Sequence, residues 1–495
     1  MTKRKDGLAQ YENVGDDYLH RRKLKKSAGW ILLWSMGVGA VISGNYFGWN
    51  MGLKHAGFWG MAAATILMAV MYVCMVFSIA ELSAALPHAG GFYSFVRNAL
   101  GPTAGFICGM TDTIEYILSP AVIVIGIGGY LNTLIYGNAP APHWTSFLWW
   151  TLSYGIFVYI NLRSVELTLK IGLVITGVAV SVLLLFFGAT LFTGAFDTQL
   201  LFNIEPTAGH TANGLPFGSV GIFTALPFAI WFFLAIEQLP LAAEETHDVV
   251  RDMPKALIWS IMTLLVLSVL TLILNTGIGG GAATYAESKA PLADGVVAVL
   301  GTGLFGRLLI TAALAGLIAS FHAIIYAYGR VLFSLSRAGY FPRWISIVNQ
   351  HHAPQTALII GAVVGLGCAF VIDALGEENK VGAALLSMAV FGAVISYALV
   401  LISFIRLRLV RPEMERPYRS PLGIPGAVVG LLLAVVSMVA CFGEPSYRSA
   451  VVGTAIFLFL GLAYYFLYSR SRLVAQAPEE EVALIALAEK ELEHE

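Results

Sequence analysis

Three carboxylates stand inside apolar stretches with no lysine or arginine mid-stretch to pair with: Asp112 and Glu115 in a run near 103–134, and Glu237 in a run near 217–242. A charged group at the centre of a bilayer helix costs roughly 2.5–3.5 kcal/mol on insertion scales, so such residues are kept for function or for pairing. Asp112 and Glu115 are three apart, on one helical face and about a turn from each other. Two carboxylates on one face want a cation. Glu81 lies nearer one end of its own run.

A second chemical feature is the stretch from Gly39 to Phe47, where two glycines and the step Ser43-Gly44-Asn45 interrupt an apolar run from Ala28 to Asn50. These residues loosen the backbone. Broken backbone at membrane depth is tolerated only beside a cavity, where freed amides and carbonyls can bind a polar solute. The histidines are isolated, and there is no glycine-rich phosphate loop and no zinc-ligand spacing. Neither an enzyme, nor a metal or cofactor, nor a nucleic-acid partner is therefore expected.

The elements that must position these groups are membrane helices. Of 495 residues, 58% are hydrophobic and 12% charged, with a mean hydropathy of +0.77, values that exclude a soluble globular protein. Twelve apolar runs long enough to cross a hydrocarbon core of about 30 Å lie near 28–50, 57–86, 103–134, 144–162, 171–194, 217–242, 255–279, 303–335, 356–373, 382–407, 424–442 and 448–468. Strand-like alternation is absent, which argues against an outer-membrane barrel. With the amino terminus inside, only Lys54, Lys289, Arg307, Lys380 and Arg448 of the 29 lysines and arginines face outward. That bias predicts a multi-pass protein of the cytoplasmic (inner) membrane with both termini cytoplasmic.

The leader Met1–Lys26 is charged and lacks an apolar core, so the first span is expected to be its own signal. Its basic run Arg21–Lys26 is expected to anchor the lipid leaflet. The carboxyl tail Ala475–Glu495 alternates apolar and acidic residues and reads as a surface helix or a frayed end. Cysteines 74, 108, 368 and 441 are scattered and read as structural thiols.

The run from Ala80 to Pro102 (A-E-L-S-A-A-L-P-H-A-G-G-F-Y-S-F-V-R-N-A-L-G-P) resembles the second-span and loop signature of the amino acid-polyamine-organocation transporter superfamily. Further segments follow in the same order: Asn161-Leu162-Arg163, Leu241 to Glu245, Arg330 to Trp344 and Arg416 to Pro421. The resemblance covers about residues 28–470. It implies an all-α integral membrane fold of twelve transmembrane helices: two inverted five-span repeats, with helices one and six broken, and two extra carboxyl-terminal spans. The implied organisation is a tail at 1–27, a ten-helix transport core at 28–407, a loop at 408–423, two added helices at 424–468 and a tail at 469–495.

The resemblance also assigns residues. Glu115 and Tyr116 match positions that line the substrate pocket in relatives, which makes Glu115 the ammonium counter-ion and Asp112 a supporting or proton-carrying group. Trp231 and Phe233 match aromatics that pack over substrate, and Glu237 matches a glutamate that exchanges protons or holds the sixth helix. Ala235 stands where a glycine is expected, so that break should be milder or displaced toward Pro240. Ser320 matches a hydroxyl-bearing position near the first break, and His322 is its neighbour. Where relatives show Gly-Ser-Gly, this chain has Ser43-Gly44-Asn45, and the asparagine narrows the room for a carboxylate. S-G-N-Y-F-G-W-N together with D-T-I-E-Y resembles the ethanolamine permease branch.

That branch implies an ammonium against Glu115, aromatics Tyr46, Tyr116, Trp231 and Phe233 around it, and a hydroxyl toward Ser43 or Asn45. Amino acids, polyamines and choline-like cations are the alternative substrates; a channel or a membrane enzyme has no footprint. Ala179 occupies the position of a lysine that replaces sodium in some relatives, so that route is absent. Proton coupling or facilitated movement is expected, in a monomer or a homodimer.

Overall fold

The computed structural model describes residues 5–6, 8–136, 141–376, 380–443 and 445–494. The apolar runs form helices: α1 Trp30–Val41, α2 Met51–Ala85, the short α3 Phe92–Leu100, α4 Pro102–Tyr136, α5 His143–Arg163, α6 Val165–Phe192, α7 Gly218–Ala229 and α8 Val249–Leu270. They continue with α9 Leu304–Arg337, α10 Gln355–Leu375, α11 Lys380–Val410, α12 Gly423–Gly443, α13 Pro445–Leu467 and the tail helix α14 Pro478–His494. Local chemistry sets the boundaries. Gly101, at φ 93, ends α3 immediately before Pro102 opens α4. The side chains of Ser164 and Asp248 cap α6 and α8 by accepting from the amides of Leu167 and Arg251.

Among the described residues, ten helices are long and apolar enough to cross a membrane. The stretch Trp30–Asn45 is apolar but shorter. Helix α5 covers the expected run 144–162 but carries Thr145, Ser153, Tyr154 and Asn161, and falls outside those ten. Helix α4 packs against α9 and α11, α1 against α6, α8 and α9, and α2 against α7 and α8.

Helices α1 and α7 give way partway along, apart from the kink of α2 at Gly57 and the π turn Thr271–Asn275 that follows α8. Helix α1 tightens into a 3-10 turn at Ile42–Asn45, and the chain then swings through Gly48 into α2. Helix α7 tightens at Ile230–Phe232, passes through Ala235 in the left-handed region at φ 79, and continues as a 3-10 run over Ile236–Glu245. The departure from helical geometry therefore falls on Ala235 itself, ahead of Pro240. A side chain there costs about 1–2 kcal/mol relative to glycine.

The carboxyl tail forms the helix α14 rather than a frayed end, and both tails are tied to the body of the protein. Strand β1 Lys5–Asp6 pairs antiparallel with β2 Ala9–Glu12, which pairs parallel with β3 Leu473–Val474. The two ends of the chain thus meet on one side of the molecule. Within the basic run Arg22 is buried against Ser346 Oγ at 2.8 Å and the carbonyls of Tyr18 and Arg343, while Arg21, Lys23, Lys25 and Lys26 are exposed. The side chain of Lys380 and the extreme ends of both tails lie outside the described residues.

At the start of α14, Glu479 and Glu480 are fully buried. Glu480 is held by Arg97 of α3 and accepts from Tyr11, Tyr340 and Tyr93 at 2.9, 2.9 and 3.3 Å. Removing one partner of a buried pair strands the other charge, at about 3–5 kcal/mol. Glu480→Ala is expected to lower the detergent-solubilised melting temperature by several degrees, read by intrinsic fluorescence; an unchanged transition would show that the tail contributes nothing.

Glu479 shares Arg337, 2.5 Å away, with Glu244. Burial pushes its carboxyl up from 4.5 to about 7, with Arg337 opposing the rise and Glu244 adding to it. Because the docked tail favours the protonated form, docking is firmest at low pH and weakens as pH rises through the window from 4.5 to about 7. Limited proteolysis of the tail is expected to be faster at pH 8 than at pH 5.5 in the wild type, and Glu479→Gln should flatten that difference.

Candidate functional site

The 3-10 turn of the first interruption is fixed from three neighbours. Ser43 N donates to Ser320 Oγ at 3.0 Å, and that hydroxyl donates to the Gly39 carbonyl at 2.8 Å, tying the turn to α9. Tyr46 donates to the Ala179 carbonyl at 2.9 Å, so the position without a lysine serves through its backbone. Asn45 Oδ1 accepts from Thr271 at 3.0 Å, while Asn45 Nδ2 is buried without an acceptor. Gly44 lies directly against the Trp231 carbonyl, where no Cβ would fit.

From that contact the chain runs on to Glu237. The Trp231 ring packs against Phe47 at 5.8 Å, and Phe233 against Tyr72 at 5.3 Å. Glu237 Oε1 accepts from Ala235 N at 3.1 Å and from Tyr397 of α11 at 2.9 Å, and Tyr397 in turn accepts from Tyr72 at 3.0 Å. The left-handed turn at Ala235 is what points its amide back at this carboxylate. Glu237 Oε2 meets no protein N–H or hydroxyl.

Glu115 faces this group from α4. It is fully buried, neither oxygen meets a protein N–H or hydroxyl, and it lies within hydrogen-bond reach of the Glu237 carboxyl, with Asp112 as a further acidic neighbour. No ion pair among the described residues involves any of these three. Two carboxylates within reach of each other in a dry site repel unless a proton or cation lies with them. Asp112, a turn away, points instead into a hydroxyl cluster, with Oδ1 accepting from Ser396 at 2.6 Å and Ser396 bonded to Thr111 at 2.7 Å.

Of the residues singled out in the sequence, Ser43, Gly44, Asn45, Trp231 and Ser320 thus gather at the first interruption, and Glu115, Glu237 and Phe233 at the second. Tyr116 is buried next to Glu115 on α4. His322 stands apart: its Nε2 lies 2.8 Å from the Thr168 carbonyl, beside a small cavity lined by Ser35, Thr176 and Tyr326. Glu81, at the end of α2, is a structural partner of Arg408 and Arg416, at 2.5 and 3.2 Å.

Sequence reasoning missed Tyr72, Tyr397, Ser396, Thr271 and Gln238. Gln238 is buried with both side-chain polar atoms free. A signal existed for the tyrosines, since a hydroxyl in the middle of a membrane helix needs a partner.

Residues 29–469 match the sequence model of the family described as "Amino acid permease". The branched-chain amino acid permease BcaP of Bacillus subtilis is 24% identical over 469 residues, covering 91% of this chain and 94% of the relative. Asc-type amino acid transporter 1 of Homo sapiens is 26% identical over 474 residues, covering 90% and 83%. An uncharacterised transporter of Rhizobium meliloti is 27% identical over 425 residues, covering 85% and 88%.

Proposed function

The chain belongs to the amino acid permease family and is a membrane transporter rather than an enzyme, and on that premise we propose that it imports ethanolamine, or a closely related small amino alcohol, across the cytoplasmic membrane. The observation that carries this reading is Glu115: a wholly buried carboxyl that no protein N–H or hydroxyl meets, whose near polar partner is the second buried carboxyl of Glu237. A membrane protein keeps such a group when a cation arrives from solution to meet it. The substrate's hydroxyl is assigned to the other interruption, where the free amide of Asn45 is a buried donor without an acceptor. Tyr46, Tyr116, Trp231 and Phe233 supply an aromatic surround suited to a cation.

Twelve spans in a 5+5 inverted repeat, with helices one and six discontinuous and both termini cytoplasmic, complete the proposal. The meeting of the two ends of the chain at β2 and β3 supports an even number of crossings. Alternating access about the two interruptions carries the solute. Asp112 and Glu237 are the groups placed to carry a proton if transport is coupled to one; Ser320 braces the first interruption, and His322 is a supporting residue outside the substrate's contacts.

Relatives described as amino acid permeases favour a second reading, in which the substrate is an amino acid. The Ser43 amide is already donated to Ser320, and Asn45 occupies space a carboxylate would need, both of which weigh against it. Counterflow in proteoliposomes loaded with ethanolamine tests the two. Ethanolamine is expected to exchange and alanine not to. Asn45→Gly should gain measurable alanine exchange while losing about tenfold in ethanolamine affinity, one buried hydrogen bond being worth about 1 kcal/mol or somewhat more. Alanine exchange by the wild type at the ethanolamine rate would refute the ethanolamine reading.

A further inference from the structure

We infer that Tyr397 of α11 is a positioning residue for the amine end of the site, and that the oxygens it leaves free make the protein selective for primary ammonium over N-methylated ammonium. The inference rests on the cation reading of Glu115 given above.

Glu237 has two carboxylate oxygens in unlike surroundings. Oε1 is filled by two donors, the Ala235 amide and the Tyr397 hydroxyl. The Tyr397 hydroxyl is itself oriented by the donation from Tyr72, so tyrosines on α2 and α11 together fix which way the carboxylate faces. Neither Oε2 nor either oxygen of Glu115 meets a protein N–H or hydroxyl, and the two carboxyls lie within hydrogen-bond reach of each other. Once the carboxyl–carboxyl bond opens the site offers three oxygens that no protein N–H or hydroxyl occupies, and a primary ammonium carries three N–H donors. The two donors on Oε1 stabilise the charge on Glu237, and the incoming ammonium stabilises that on Glu115, so both can be ionised together when substrate is bound.

Each N-methyl group removes one donor and leaves one buried carboxylate oxygen unmet. A site built to hydrogen-bond a donor rejects the analogue that lacks it far more strongly than an aromatic cage would. A quaternary ammonium bound by aromatics alone would instead be favoured by its larger, weakly hydrated cation.

The test is competition against ethanolamine counterflow by N-methylethanolamine, N,N-dimethylethanolamine and choline, using the full chain in proteoliposomes. The expected result is a loss of roughly tenfold in competing affinity per methyl group, as fits one charge-assisted hydrogen bond. Tyr397→Phe keeps the ring and removes the hydroxyl. It is expected to raise KM for ethanolamine about tenfold and to shrink the ratio between ethanolamine and choline, with kcat changing less; Tyr72→Phe should shift the same ratio in the same direction but less. A purely structural tyrosine would lower the melting temperature without moving that ratio.

Choline competing within threefold of ethanolamine in the wild type would overturn the inference, as would an unchanged ratio in a Tyr397→Phe protein of wild-type melting temperature. The wild-type series needs no variant, so misfolding cannot shield the claim. If ethanolamine itself proves not to be carried but another primary amine is, the methylation series on that amine still decides this inference, and only the choice of substrate falls.

Discussion

Glu115→Gln is expected to lower ethanolamine exchange at least 100-fold while leaving the protein as stable as the wild type or more so. The side chains have nearly the same shape, so packing on α4 is preserved. What disappears is an ionisable carboxyl that meets no protein N–H or hydroxyl and lies against a second buried carboxyl. Truncating one partner of a buried, hydrogen-bonded charge pair costs about 2–5 kcal/mol. At about 1.4 kcal/mol per tenfold in affinity, the middle of that range is two decades or more. The stability expectation separates the roles. A glutamate that served structure would be missed by the melting temperature, whereas one held for a transported cation burdens the empty protein and is relieved by neutralisation. Melting curves with and without ethanolamine check both halves: the wild type should gain several degrees from ligand and the variant none.

Gly44→Ala is the second large effect. A methyl group at this position meets the Trp231 carbonyl, a backbone atom rather than a flexible side chain, so nothing can swing aside. The two interruptions touch there, and forcing them apart displaces both halves of the site. Exchange should fall to the level of empty liposomes. Gly29→Ala, at a glycine where an added methyl meets nothing within 4 Å, is the control and should transport normally. Retained exchange in the Gly44 variant would mean that the contact is not needed in the transport cycle.

The parts of this arrangement that could be read from sequence are those where a residue type contradicts its surroundings. Asp112, Glu115 and Glu237 are charges in apolar runs, and Ser43-Gly44-Asn45 is polar and flexible inside another; each is visible without knowing the fold. What could not be read is partnership across the bundle. Nothing in the spacing of Tyr72, Glu237 and Tyr397 says that three separate helices bring them to one carboxylate, because hydrophobic periodicity reports which face a helix buries and not what lies opposite. Thr271 against Asn45 is hidden for the same reason.

In the carboxyl tail the helix was legible but its burial was not. A run of acidic and apolar residues at 479–485 has the pattern of an exposed amphipathic helix, yet Glu479 and Glu480 are buried because Arg337 and Arg97 come to meet them from α9 and α3. Composition places charges at the surface by default, and only tertiary contact reveals the pair. At Ala235 the sequence suggested a softened or displaced break where a glycine was lacking; the chain instead bears the left-handed turn at alanine, since that conformation supplies an amide to Glu237.

The central claim is that a buried carboxylate pair receives the ammonium of a small amino alcohol. Its most direct measurement is exchange of radiolabelled ethanolamine in proteoliposomes holding wild-type protein or Glu115→Gln, with alanine, putrescine and choline as unlabelled competitors. The account predicts rapid exchange by the wild type, inhibited by unlabelled ethanolamine and little affected by the other three, and none by the variant. Exchange by the variant at the wild-type rate, or wild-type exchange of alanine in place of ethanolamine, would contradict it.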